Sequence, residues 1–520
     1  MAVMKAVTTA LAALSLLLGV ATYTGATAQD LRIAVESGPT SNDPHFHALV
    51  PNIAFHRHIF EPLMAQDARQ VLRPALAVSW TALDDVTWEI KLRPNVLWHD
   101  GSPFTADDVL FTLARAGTVP NSPSSFRIYV QSVVKAEAVD PLTVRLTTAV
   151  PTPLLPNNLS LVLIVSRRHG EGATTADYNS GKAMVGTGPY RYTSWTPNEA
   201  LRLQRNSSYW GEAPEFADVE FRRIAAAQAR VAALLARDVD VIEFPSTADF
   251  ERLKSNPQIT TVESVSNRLI FLHLDSARAA SPFVTGPNVL RDARVRRALS
   301  LAINRAALVE RVMERQALVA GDLGPPGYFG TDPALTPDPF DPDAARRLLA
   351  DAGLPTGFSL TLHGPNDRYV NDERVLQAIA QMWVRIGVQT RVEAVPRATY
   401  FTRATRTEFS AMLLGFSPNP ETLGMLEPLI ATYDAATGMG SANRGRYSNP
   451  AVDALIQQAR TTVDNAARER LTQAATRAAL ADTAIIPLYF QYNTWAVRRG
   501  LSYEARTDEM TLATSVRRAQ

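Results

Sequence analysis

LRPNVLWHDGSPFTADDVLFTLA, Leu92 to Ala114, is the stretch on which the reading of the fold turns. Just ahead of it, Val86, Trp88, Ile90 and Leu92 alternate with Thr87, Glu89 and Lys91, the period of a half-buried strand. Gly101 closes a turn, and Thr105 with Asp108 has the spacing of a capping box opening a helix over Ala106 to Ala114. Strand, turn and helix thus follow within thirty residues. The same alternation recurs on both sides. Leu31 to Glu36 reads as a first strand, and Leu142, Val144 and Leu146 repeat the two-residue period. Asp292 caps a helix with Val295, Leu299, Ala302 and Ile303 on one face. Asp341-Pro342 starts a helix that Gly353 ends, and Asn449-Pro450 starts another. Phe358-Leu360-Leu362, the nearly all-apolar Ser410 to Gly415, and Ile485 to Val497 read as strands, the second central in its sheet. The pattern is α/β with mixed sheets.

The first residues carry the marks of an export leader. Lys5 supplies the positive end, Ala10 to Val20 an apolar core, and Ala26-Thr27-Ala28 a small-residue cleavage site, so the predicted mature chain starts at Gln29. The apolar core is shorter than the roughly 20 residues that span a bilayer. There is no cysteine, which excludes disulfides, thiolate metal sites, a cysteine nucleophile and a lipid-modified cysteine anchor. An exported chain without that tether is expected in a periplasm. Losing Lys5 leaves 51 basic against 51 acidic residues, so charge gives no reason to expect nucleic acid or anionic lipid as a partner. About 490 mature residues exceed what one core can organise, and at least two lobes follow.

The segment from Leu92 to Ala114 closely resembles the hallmark of solute-binding protein family five, the dipeptide-, oligopeptide- and nickel-binding proteins of ABC importers. Further blocks agree in order. They are Asp43-Pro44 with Ile59-Phe60-Glu61-Pro62-Leu63, Gly186-Thr187-Gly188-Pro189-Tyr190, Asn206 to Trp210 and Arg230 to Asp240. Asp292 to Asn304, Asp341 to Gly353, Tyr447 to Pro450 and Ile486-Pro487-Leu488 follow. The resemblance implies the type II periplasmic-binding fold, with two lobes, a hinge and an extra inserted domain. It divides the mature chain into lobe one (29–79, 183–277 and 487–520), the inserted domain (80–182) and lobe two (278–486). Hinge crossings are expected near Leu274 to Pro282 and Ile486 to Tyr489. It implies an ABC permease and ATPase at the inner membrane as partners, a monomer, no enzymatic turnover and no cofactor.

In peptide-binding relatives an aspartate after a Gly-Trp pair holds the ligand's ammonium. Here Phe416 stands for the tryptophan and Asn419 for the aspartate, and an amide cannot neutralise an ammonium, which leaves Glu421 as a substitute at a different reach. Arg368-Tyr369 lies close to where relatives bind a ligand carboxylate, and Arg444 is a second candidate for anion capture, since a guanidinium fork fits a carboxylate. For either arginine the plainer reading is a solvated surface charge. Ser41, Asn42, Phe126, Tyr129 and Tyr492 are candidates for polar and stacking contacts in the cleft.

Two His-x-His pairs, His45/His47 and His56/His58, lie near Asp43; on a strand each would face one side and suit a metal or nickel complex, while on a helix or turn the rings diverge. An exported hydrolase is the rival class. No G-x-S-x-G elbow supports it, though a scattered Ser-His-Asp set stays open to sequence alone. A sensory or chaperone-like binding protein without a permease would use the same cleft.

Overall fold

The computed structural model describes residues 30–417 and 421–519. The leader, its cleavage site and Asn419 lie outside them. Among the described residues no helix is long and apolar enough to cross a membrane.

One 11-stranded mixed sheet runs through the molecule. On one side, Leu31–Val35 pairs in parallel with Asp218–Arg223 and Val241–Glu243, and Ala200–Arg205 and Tyr190–Thr196 extend the sheet antiparallel. On the other, Ser359–Pro365 pairs in parallel with both Gln389–Val395 and Ala411–Phe416. Two long antiparallel strands, Ile259–Leu274 and Ile486–Arg498, belong to both halves. Ile259 to Val265 pairs with Tyr492 to Arg498, the register shifts, and Leu269 to Leu272 pairs with Ile486 to Phe490. Ser266, Asn267 and Arg268 fall in that shift. A separate four-stranded sheet, ordered Ala77–Ala82, Thr87–Leu92, Thr143–Thr148, Val133–Asp140, carries its own core with the helix Ala106–Ala116.

The sequence patterns explain these elements. Trp88, Ile90 and Leu92 are buried as the alternation requires. The Thr105/Asp108 capping box is present. Ala411–Phe416 lies between two partners, which is why its first four residues are all buried.

The family blocks meet one another. The buried Glu61 carboxylate accepts from the Thr187 hydroxyl at 2.9 Å, the Tyr209 hydroxyl at 2.8 Å and the Trp210 indole N–H at 2.8 Å. Burial pushes this carboxyl up to about 7 against those three donors. Tyr209 and Trp210 are therefore half-buried donors, Trp210 also packing on the core of the four-stranded sheet. From the hallmark segment, His99 accepts the Gly186 N–H at its Nδ1 (3.2 Å) and donates from Nε2 to the Gly188 carbonyl (3.0 Å). The two glycines permit close approach: a Cβ on Gly186 would lie 1.7 Å from the Ile59 carbonyl oxygen, and one on Gly188 2.7 Å from the His58 carbonyl oxygen. Trp98 donates to Asp108 at 3.2 Å, and Asp108 also takes the Arg167 N–H at 2.8 Å. In the other half, Asp482 gathers Arg296 at 3.0 Å and the Tyr447 hydroxyl at 2.8 Å, joining two further blocks. The motifs fix how elements cross.

Candidate ligand cleft

Parallel strands direct their carboxyl ends to one edge, and ligands of open α/β sheets sit outside that edge. Here the ends of Ser359–Pro365, Gln389–Val395 and Ala411–Phe416 place Arg368, Tyr369, Arg397 and Phe416 together. The loop 366–371 is held by Asp372, which accepts the Arg368 and Tyr369 backbone N–H groups at 3.0 Å each. The Tyr369 hydroxyl accepts the Gly415 N–H at 2.7 Å and reaches the Gly415 carbonyl at 3.2 Å. Position 415 must be glycine, because a Cβ would stand 2.6 Å from the Tyr369 ring.

The Arg368 side chain is exposed to solvent and makes no ion pair among the described residues; its guanidinium carbon lies 5.2 Å from the Tyr369 ring centre. Surrounding protein nevertheless desolvates it and, together with neighbouring Arg268, lowers its pKa from the ordinary value. Arg268 itself donates from Nε and Nη2 to the two Glu509 oxygens, both at 2.7 Å. Burial alone would raise the Glu509 carboxyl, but Arg268 and then Arg368 outweigh it and hold the group below its usual range. Arg444 lies against Phe401, 5.9 Å from the ring centre. Leu154, from the inserted sheet's side of the molecule, packs on the apolar cluster that also takes Phe416.

The structure thus brings together Arg368, Tyr369 and Phe416, while Arg444 lies on a loop packed at the other end of the strand, where the Gly445 carbonyl accepts the Ser276 N–H at 2.8 Å. It takes others elsewhere. Ser41 and Asn42 are buried to 1% exposure, Ser41 donating to Asn179 at 2.8 Å, and Phe126 is fully buried between His45 and Tyr129. These three are interior residues and line no open wall. Tyr129 is half-buried on the same inserted core, and Tyr492 sits at the register shift opposite Val265, near Glu263 and Lys254. Glu421 is not free for an ammonium, since buried Arg468 takes both its oxygens at 2.8 and 3.2 Å.

The histidine pairs diverge. His45 lies in a turn, donates from Nε2 to the Leu163 carbonyl at 2.8 Å and accepts from Arg115 at 2.9 Å, while His47 meets Thr40. His56 ends a helix, and His58 accepts the Ala513 N–H. A guanidinium occupies the place a metal shared by Asp43 and His45 would need.

Sequence reasoning missed Arg268, Arg397 and Glu509. A lone arginine before the apolar run Leu269 to Leu272 is the one available signal for the first. Glu509 reaches the site only because the C-terminal segment returns across the long strands.

The model of the bacterial extracellular solute-binding proteins, family 5 Middle, matches residues 71–436. The chain belongs to this family. A glutathione-binding protein GsiB from Pectobacterium atrosepticum is 30% identical over 462 residues, covering 85% of each chain. The GsiB of Escherichia coli K12 is 29% identical over 476 residues, 89% of each. The solved structure of HbpA2 from Haemophilus parasuis superposes with a TM-score of 0.82 at 23% identity, over 95% of this chain and all of that one. This member of the family is a solute-binding component of an ABC importer, with the two-lobe type II fold.

Proposed function

We propose that this chain captures a peptide-like solute bearing a carboxylate between its lobes in the periplasm and delivers it to a membrane permease and its ATPase. The observation that carries the reading is the unpaired Arg368 guanidinium on the sheet's carboxyl edge, beside Tyr369 and Phe416 and facing the Arg268–Glu509 pair. A carboxylate arriving there gains a two-pronged, charge-assisted contact. The GsiB relatives, named for binding glutathione, support a small peptide or amino-acid conjugate. Neither Glu421 nor Glu509 is free to hold the ligand's ammonium, since both are held by arginines. This favours ligands chosen by their acid end.

The lobes pivot where the long strands shift register, at Ser266–Arg268 opposite Gln491, ahead of the Leu274–Pro282 crossing that the family likeness implies. The protein binds and does not transform its solute, and its leader is removed after Ala28.

The test is a thermal-shift and calorimetric screen of mature protein against small peptides and their C-terminal amides, with mass spectrometry of the recovered compounds. Free acids are expected to raise the melting temperature by mass action, the amides to do so less, and every compound to return unchanged. Arg368→Gln should weaken acid binding about 10- to 100-fold. Equal affinity for acid and amide, or turnover lost on a single substitution, refutes the reading.

A further inference from the structure

We propose that a cavity walled by Arg297, Arg305 and Arg477, in the half of the sheet that carries Ala411–Phe416, is a second binding site, taking a small tetrahedral oxyanion such as phosphate or sulfate. It stands apart from the cleft. Its wall residue Pro487 pairs with Phe271, deeper along the strands than Leu269, which pairs with Phe416 at the cleft edge. The cavity holds about 190 Å³, several times the ~30 Å³ that a water molecule occupies in the liquid.

The five arginines buried among the described residues are Arg230, Arg296, Arg305, Arg468 and Arg506. Arg296, Arg468 and Arg506 each donate to a carboxylate oxygen at 3.0 Å or less. Arg230 donates to four backbone carbonyls, of Glu243, Ile224, Ala225 and Phe244. Arg305 is matched less fully and lines the cavity. It is 4% exposed, and it donates from Nε to the Pro487 carbonyl at 2.7 Å, from Nη1 to the Ser300 carbonyl at 3.1 Å and from Nη2 to the Ser300 hydroxyl at 2.7 Å. Two of the five N–H groups of a guanidinium are left over. Asp338 comes no nearer than 3.9 Å, and its carboxylate already accepts from Arg297 and from the Ser300 hydroxyl. Burial pulls the Arg305 pKa down to about 10, which Asp338 opposes and Arg297 reinforces. A desolvated cation so placed is costly unless an anion joins it.

The rest of the wall leaves the balance positive. Arg297 gives one N–H to Asp338, and Arg477 gives one to Asp332, which lies outside the wall. Three guanidiniums thus share two carboxylates, and one positive charge is uncompensated. The three come from separate elements: Arg297 from the helix Ala293–Leu301, Arg305 from the short turn after it and Arg477 from the helix Asn465–Ala481. Donors spread over several elements suit the four oxygens of a tetrahedral ion better than the flat face of a carboxylate. The wall is also fixed in place. The Ala320 N–H donates to the Leu488 carbonyl at 3.2 Å, and Gly321 is pressed against the returning chain, where a Cβ would lie 2.5 Å from the Pro337 nitrogen.

The test is calorimetric titration of the mature protein with sodium phosphate and sodium sulfate, at an ionic strength held constant with sodium chloride. Melting curves alone do not suffice, because both anions stabilise proteins generally by exclusion from their surfaces, and saturable heat separates binding from that effect. One anion per chain is expected to bind wild type, and to bind Arg368→Gln equally, since that change lies in the cleft. Arg297→Gln and Arg477→Gln should each weaken binding about 10-fold. Ala481→Glu sets a negative charge at an exposed position of the wall with every arginine in place; it should abolish binding, and it decides if an arginine variant fails to fold. Three results overturn the assignment: no saturable binding to wild type, unchanged binding to Ala481→Glu or to the double variant Arg297→Gln/Arg477→Gln, or loss of binding in Arg368→Gln, which would put the anion in the cleft.

Discussion

Replacing Asp43 by alanine should cost the protein about 3–5 kcal/mol of stability. The Asp43 carboxylate is fully buried and accepts from Arg115 Nη1 at 2.9 Å, Arg115 Nη2 at 2.7 Å, the Thr175 hydroxyl at 2.8 Å and the His45 N–H at 3.0 Å. Arg115, whose side chain is 10% exposed, would be left without its counter-charge, and that stranded cation dominates the loss. Thr175 adds about 1 kcal/mol for a lost hydrogen bond. Removing both charges in Asp43→Asn/Arg115→Met should cost less than Asp43→Ala alone, because no ion is then marooned. Urea denaturation followed by tryptophan fluorescence, with calorimetry to check cooperativity, reads both variants. The pH dependence has a definite sign. Burial alone would raise the Asp43 carboxyl, but Arg115 outweighs it, so the folded pKa lies below the ordinary 3.8. The contribution is complete above the unfolded value and is lost as pH falls through the lower folded one. An Asp43→Ala protein within about 0.5 kcal/mol of wild type would refute the reasoning, since the pair would then be no more than a surface contact. A large rise in melting temperature on adding nickel or zinc to wild type, lost in His45→Ala, would restore the metal reading in its place.

Six of the eight histidines are buried, with burial lowering His45, His56, His58, His99 and His363 to about 4 and His273 to about 3. Each binds fewer protons folded than unfolded between about pH 4 and 6.5, so stability should fall by several kcal/mol as pH drops through that window, read by denaturant midpoints at stepped pH. A flat profile there would contradict the burial of these rings. Gly186→Ala should unfold or severely destabilise the protein, because the Ile59 carbonyl leaves no room and both partners are backbone; a melting curve within about 2 °C of wild type would count against that crossing. Glu61→Gln, which sets an amide N–H against one of three donors, should cost about 1–3 kcal/mol by the same denaturation assay, and no loss would mean the three blocks are held by packing instead.

Periodicity located the elements well because burial imposes it directly. Thr87–Leu92, Ala106–Ala116, Pro342–Asp351 and Pro450–Thr461 lie where alternation, capping residues and proline put them. Of the candidate cleft residues, Arg368, Tyr369 and Phe416 lie at the carboxyl ends of strands, which the strand pattern already located. Ser41, Asn42 and Phe126 look like lining residues by type, yet they are interior, since polarity and aromaticity do not reveal which way a loop faces. Glu421 had the right charge for an ammonium, but Arg468, 47 positions away, already holds it.

By itself the sequence determined the class of the molecule: an α/β chain with no thiol chemistry, a nearly even charge balance and an ordered series of blocks. These are properties of residue type and local spacing, which survive without coordinates. Tertiary structure alone decided which charges are already satisfied. Asp43, Glu61, Glu421 and Glu509 each meet partners distant in the chain, whereas Arg368 makes no ion pair among the described residues. Whether a charge is buried and whether it is paired are both set by contacts that spacing along the chain does not encode.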